Sequence, residues 1–350
     1  MLLPHTGREA QVKTCLQNAT TTENPESRVS EVVTIRLRRC GHAGACSVEA
    51  TERSRPLVFG IFILECGMEA FITSIAGVRI PRIIYGTAWK KTDTRRLVEI
   101  AIREGFRGID TACQPKHYDE AGVGAGVTAC LNLGLGRRDL YLQTKFTPVS
   151  GQNPRQIPYN PRASLPEQVA QSFAASLRNL QTDYLDCLIL HSPLSTAQQT
   201  WAVWHAFESL VDAGGVRQLG ISNCYTLADI EHLCNGSRIK PAVVQNRFHA
   251  ETGYDREIRG FCSQQKIVYQ AFWTLTANPH VLAHATIAAL ASTHKRTPPQ
   301  ILFRYLAQAG VVPLTGTRSE THMREDLSIF EFELTVAECR AVDRIFMEKA

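Results

Sequence analysis

Four side chains in this chain could carry out acid–base chemistry together: Asp110 in GIDTA, Tyr118 in PKHYDE, Lys145 in LYLQTKF and His191 in LDCLILHSP. A carboxylate, a phenol, an amine and an imidazole are the parts of a tuned proton donor, which could protonate a carbonyl oxygen while hydride reaches the carbon. A free tyrosine titrates near ~10, so bringing its acidity to neutral pH takes roughly 4 kcal/mol. One cation about 4 Å away contributes a similar amount at a moderate effective dielectric. Lys145 is therefore expected to supply the shift, with Asp110 holding the amine and moderating its influence. Asp110, Lys145 and His191 also have plainer readings: a helix cap, a solvated strand end and a satisfied core histidine. Asp110, Lys145 and His191 each end an otherwise apolar run, where a buried ionisable group needs a partner, and that favours the joint reading.

The elements that would position these groups alternate regularly. Strand-length apolar runs fall at 83–88, 108–112, 140–146, 184–191, 218–222, 242–248, 267–272 and 311–314. Between them lie segments of helical spacing, such as 94–104, 166–180, 201–213 and 299–309. Eight strands alternating with helices predict a (β/α)8 barrel, with a doubly wound open sheet as the competing topology. Asp110, Lys145, His191, Asn223 and Gln245 all fall at or near C-terminal strand ends, which converge on one face only in a closed barrel. The glycines of Gly122-Val-Gly-Ala-Gly126 do not directly follow a strand as a dinucleotide fingerprint requires, so they are expected early in a helix.

Composition narrows the class further. The chain has 350 residues and a net charge of +5, without the basic and aromatic interleaving of a nucleic-acid groove. Eleven cysteines lack a CxxC framework or zinc spacing and read as reduced thiols of a cytoplasmic protein. No metal site, secretory signal or membrane span is expected, the longest apolar run being 57–64. A monomer is the expected state. Residues 1–56 are polar and show no sustained period, and 1–67 are expected to be a disordered extension or a gene-model artefact, ahead of a domain at 68–350.

GIDTA, Lys145 at its strand end, LDCLILHSP, GISN at 220–223, PAVVQNRFH at 241–249 and PLTGTRSETHMREDL at 313–327 together resemble the aldo-keto reductase family. The resemblance runs from about Phe71 to the C-terminus. It implies a TIM barrel that binds a nicotinamide cofactor without a Rossmann domain and reduces carbonyls. It makes Tyr118 the proton donor, Lys145 and Asp110 its tuning pair, and His191 the group that orients the substrate carbonyl. It places Thr87 against the cofactor and Trp89 in the substrate pocket, with His117 as a further wall residue. Ser222, Asn223 and Gln245 would hold the nicotinamide carboxamide. Thr315, Gly316, Thr317, Arg318 and His322 would meet the phosphates, and Glu325 and Asp326 the adenine.

Three departures from the family's commoner pattern stand out. Asp110 and Tyr118 are eight positions apart, the loop being three residues longer than usual. A Lys-Ser phosphate pair is replaced by Thr317-Arg318, so NADPH is expected with Arg318 as the phosphate contact, and NADH stays open. No long C-terminal loop follows the last helix expected at 335–349. Substrate walls are then expected from the structureless loop at 147–166, through Tyr159 and Gln152, and from Trp273. The QPKHY loop and FWTLTANP resemble fungal members, some of which act in secondary metabolism on 2-oxo acids or polyketide carbonyls. A cofactor-binding regulatory barrel with little turnover is the alternative reading.

Overall fold

The computed structural model describes residues 70–347; the extension expected at 1–67 lies outside them. Eight parallel strands close into a barrel: β3 (Ile84–Gly86), β4 (Gly108–Asp110), β5 (Tyr141–Phe146), β6 (Cys187–Leu190), β7 (Leu219–Ser222), β8 (Val243–Arg247), β9 (Val268–Phe272) and β10 (Val311–Thr315). The ring shuts where Leu314 and Thr315 pair with Ile84 and Tyr85. All eight strands predicted from the apolar runs are present. A short antiparallel hairpin precedes them, β1 (Phe71–Thr73) and β2 (Arg79–Pro81), which the sequence reading did not separate.

Period-two alternation divides the apolar side chains into two cores. Ile84, Tyr141, Cys187, Ile189, Val243, Val268, Val312 and Leu314 fill the barrel interior together with Ile80 of the hairpin. Leu142, Phe146, Leu188, Leu190, Val244 and Tyr269 face the helices. The first long helix, Thr94–Glu104, buries Leu97, Val98, Ala101 and Ile102 on one stripe and stops at Gly105, whose φ of 124° an L-residue rarely adopts. The helix Leu165–Leu180 starts with Pro166 in its first turn, and the Glu167 carboxylate accepts from the Ser164 amide at 2.9 Å.

The glycine cluster lies inside the helix Glu120–Leu131, as its position predicted. A Cβ on Gly124 would fall 2.1 Å from the Asn179 carbonyl oxygen, and one on Gly126 2.7 Å from that of Arg95. These glycines let three helices approach closely.

Candidate active site

The C-terminal ends of β4, β5 and β6 and the loop after β4 bring the four predicted residues together. Lys145 is fully buried on β5 and donates to Asp110 Oδ1 at 2.5 Å and to the Thr111 carbonyl at 2.9 Å. Its Nζ also lies 5.5 Å from the centre of the Tyr118 ring. Tyr118 and His191 face each other edge-on, with ring centres 6.0 Å apart. A carbonyl placed between phenol and imidazole would meet both.

The electrostatics differ from the sequence expectation in one respect. Lys145 was expected to lower the phenol's pKa, yet burial, followed by the Asp110 charge, pushes Tyr118 above its ordinary range. The reason is geometric: the ammonium's hydrogen bonds go to Asp110 and Thr111, and it meets Tyr118 through the ring. Burial lowers the pKa of Lys145, with Asp110 opposing that fall. Tyr118 therefore holds its proton at neutral pH, the form a donor needs. His191 is neutral, pushed down to about 3 by burial and then by Lys145 and His117. Its Nδ1 is 2.6 Å from Thr147 Oγ1. With that hydroxyl as donor, the ring proton resides on Nε2.

The amides expected to clamp a nicotinamide already have protein partners. Asn223 Nδ2 donates to the His191 carbonyl at 2.8 Å and to Ser222 Oγ at 3.2 Å. Gln245 Nε2 donates to Asp110 Oδ1 at 3.0 Å and Gln270 Oε1 at 2.9 Å. Thr87 is fully buried, and its hydroxyl donates to the Asp110 carbonyl at 2.8 Å, which ties β3 to β4.

At the rim, Trp89 is half exposed and stacks on His117 with ring centres 4.0 Å apart. Trp273 is also exposed, with the Arg247 guanidinium 4.3 Å above its ring. Trp89, Asn223 and Trp273, each following a strand end, have φ of 62°, 51° and 59°. A left-handed backbone at a bulky residue is costly, and such outliers gather at functional sites.

Two expected wall residues are corrected. Tyr159 is buried against Phe146, and its hydroxyl donates to the Thr147 carbonyl at 2.6 Å. Gln152 is buried too, donating to the carbonyls of Cys113 at 2.9 Å and Thr147 at 3.1 Å. Both fasten the 147–166 segment to the barrel. A loop with few periodic residues read as open wall, but it makes specific backbone contacts instead.

The turn after β10 gathers cations suited to phosphate. Lys90, missed in the sequence reading, reaches the Gly316 carbonyl, and its Nζ is 3.4 Å from that of Thr317. Burial, then the nearby Arg318, lowers the Lys90 pKa to about 8. Arg318 binds Asp93 at 2.7 Å and the Trp89 carbonyl at 2.7 Å, and His322 Nδ1 lies 3.5 Å from Thr317 Oγ1. The helix Glu320–Leu327 points its N-terminus at this turn, and Ser319 caps it by accepting from the His322 amide. Thr315 Oγ1 donates to Asp326 Oδ2 at 2.6 Å, which leaves Asp326 a structural bond beside the turn. Glu325 uses its backbone carbonyl to accept from Gln300 at 3.0 Å.

Comparison with known proteins agrees with this geometry. The sequence pattern of the Aldo/keto reductase family matches residues 82–346. An uncharacterized oxidoreductase, YtbE, of Bacillus subtilis is 30% identical over 71% of this chain and 82% of its own length. The glyoxal reductase of the same organism is 30% identical over 71% of this chain and 82% of its own length. The Bombyx mori aldo-keto reductase, solved in complex with NADP, superposes with a TM-score of 0.68 at 25% identity, over 78% of this chain and 92% of that one.

Proposed function

The chain belongs to the aldo/keto reductase family, and from that premise we propose that it reduces an aldehyde or ketone to the alcohol with NADPH, Tyr118 giving the proton. The observation that carries this is the buried Lys145–Asp110 pair beside a Tyr118 ring that faces neutral His191.

NADPH, when bound, supplies the hydride. The residues fit it chemically: the Lys90 and Arg318 cations, the His322 ring and a capped helix N-terminus suit its phosphates. Gln245 Oε1, Asn223 and Ser222 suit an amide. Arg318 would hold a 2′-phosphate in exchange for Asp93, which favours NADPH over NADH. The other groups of the site act on the carbonyl. His191 Nε2 donates to the carbonyl oxygen and aims it at the phenol. Tyr118 transfers its proton to that oxygen. An ammonium 5.5 Å from the ring centre attracts the phenolate so formed by about 3 kcal/mol at an effective dielectric near 20.

Trp89, His117 and Trp273 border an open aromatic mouth, which suits a carbonyl on a bulky or extended body as well as a small aldehyde. A carbonyl of secondary metabolism, such as a 2-oxo acid or polyketide, fits that description. Free cysteines at Cys113, Cys130, Cys187, Cys224, Cys234, Cys262 and Cys339 support a reducing, cytoplasmic setting. Among the described residues, no helix is long and apolar enough to cross a membrane. We assign the active unit as a monomer.

The test is Tyr118→Phe, assayed by nucleotide absorbance on a panel of aldehydes and ketones with NADPH and with NADH. Turnover should fall by a factor on the order of 10² or more, while NADPH binding, read by tryptophan fluorescence, stays near wild type. Undiminished turnover in the variant would remove the phenol from the reaction.

A further inference from the structure

The barrel interior carries buried amides, Gln143, Gln218 and Gln270, that the proposed reaction leaves unused. Along β5, Tyr141, Gln143 and Lys145 share the inner face, and Gln143 and Gln270 are both wholly buried. Apolar side chains would fill such a layer without needing partners, as they do lower in the same barrel. The amides instead converge on one atom. Asp110 Oδ1 accepts from Lys145 at 2.5 Å, from Gln143 at 2.7 Å and from Gln245 at 3.0 Å.

The direction of each bond is set from the base of the barrel. Ser74 Oγ, in the hairpin turn, donates to Gln218 Oε1 at 2.6 Å, so Gln218 turns its Nε2 to the Tyr141 hydroxyl at 3.2 Å. Tyr141 then donates to Gln143 Oε1 at 2.9 Å. Gln270 Nε2 donates to that same oxygen at 3.0 Å, and Gln270 Oε1 accepts in return from Gln143 Nε2 at 2.8 Å. With its oxygen doubly engaged, Gln143 can present only its N–H to Asp110. A flipped amide would set oxygen against the carboxylate.

We propose that Gln143 is a positioning residue for carbonyl reduction: its amide, oriented by Tyr141 and Gln270, shares the Asp110 carboxylate and so fixes the grip of Asp110 on the Lys145 ammonium beside Tyr118. The proposal rests on the reductase reading. Without the amide, Asp110 would concentrate its charge on Lys145 and draw the ammonium from the forming phenolate.

The titratable groups facing Lys145 are Asp110 from β4, Cys187 from β6, Glu120 from the helix Glu120–Leu131, and Tyr118 and His191 at the mouth. Of these, the Gln143 side chain hydrogen-bonds to Asp110. Removing the amide should therefore raise the Lys145 pKa by strengthening its opposing partner.

The experiment compares the full chain with Gln143→Met, Gln143→Glu and Tyr141→Phe, using 4-nitrobenzaldehyde and NADPH across acid to alkaline pH. NADPH binding and thermal melting are measured in parallel. Gln143→Met should lose about tenfold in kcat, with KM and NADPH binding near wild type and the alkaline limb of the profile moved upward. Tyr141→Phe, which frees the amide to turn but removes one oxygen only, should move both readouts the same way by less. Gln143→Glu can still donate while its carboxyl is protonated, so its activity should fall as that group ionises against Asp110, at lower pH than in wild type.

A folded Gln143→Met variant with wild-type kcat and an unmoved profile would overturn the proposal. So would a loss that follows melting temperature alone in all three variants. An inactive wild type that binds NADPH would overturn the reductase reading, and this proposal with it. An active wild type leaves the variants to decide the role of Gln143.

Discussion

Removing either half of the Lys145–Asp110 pair is predicted to cost unequal amounts of stability, because the two ends are supported differently. The ammonium is fully buried and has two acceptors, Asp110 Oδ1 at 2.5 Å and the neutral Thr111 carbonyl at 2.9 Å. Asp110→Asn takes away an attraction of roughly 7 kcal/mol at an effective dielectric near 20. Lys145 recovers part of this by shedding a proton, which its lowered pKa eases. The net cost should be about 3–5 kcal/mol, the usual range for stranding a buried charge. Lys145→Met instead leaves Asp110 Oδ1 with the Gln143 and Gln245 donors at 2.7 and 3.0 Å. Hydrogen bonds to a charged group are worth ~1.5–3 kcal/mol each, so this loss should be near 2 kcal/mol. The double variant removes both charges and should cost little more than Lys145→Met, giving a coupling of at least about 2 kcal/mol. Guanidinium unfolding of the four proteins, followed by circular dichroism at constant m-value, measures the cycle. A Lys145→Met loss equal to or above that of Asp110→Asn would refute the support assigned to the amides. A coupling under about 1 kcal/mol would refute the pair as the structure draws it.

Two further outcomes follow from the corrected residues and the cofactor turn. Tyr159→Phe removes a hydroxyl that donates to the Thr147 carbonyl, so it should destabilise by about 1 kcal/mol and leave KM for carbonyls unchanged; a raised KM would return Tyr159 to the pocket wall. Burial pushes Asp326 up to about 7, so the folded form holds its proton where the unfolded chain, titrating near ~4, has lost it. The stability of the wild type should then decline relative to Asp326→Asn as pH rises from about 4 to about 7 and level off above that. Melting both proteins across this range checks it, and a pH-independent difference would contradict the shift.

What the sequence made legible depended on how far each feature rests on periodicity. The helix 94–104 was readable to the residue because its apolar stripe and closing Gly105 are local signals. The hairpin strands, three residues each, are too short to show any period. Asp110, Lys145 and His191 were visible because each ends a run that is otherwise largely apolar. Their relative orientation was not. Whether Lys145 points its hydrogen bonds at a phenol or at a carboxylate depends on what lies across the barrel, and Asp110, with two amides behind it, wins that competition. Gln143 did leave a trace: Tyr141, Gln143 and Lys145 alternate with Leu142 and Phe146, a polar inner face on a strand otherwise read as one apolar run. Buried parallel strands are apolar on both faces, so their alternation carries little weight until the barrel shows which side is inside. The Gly122–Gly126 cluster works in the opposite direction. Its spacing imitates a nucleotide loop, but the Asn179 carbonyl beside Gly124 gives it a packing role. The same residue types thus acquire their meaning from the surface they face. For Gln143 that surface is a carboxylate, so an amide there bears on the chemistry through Asp110 and Lys145.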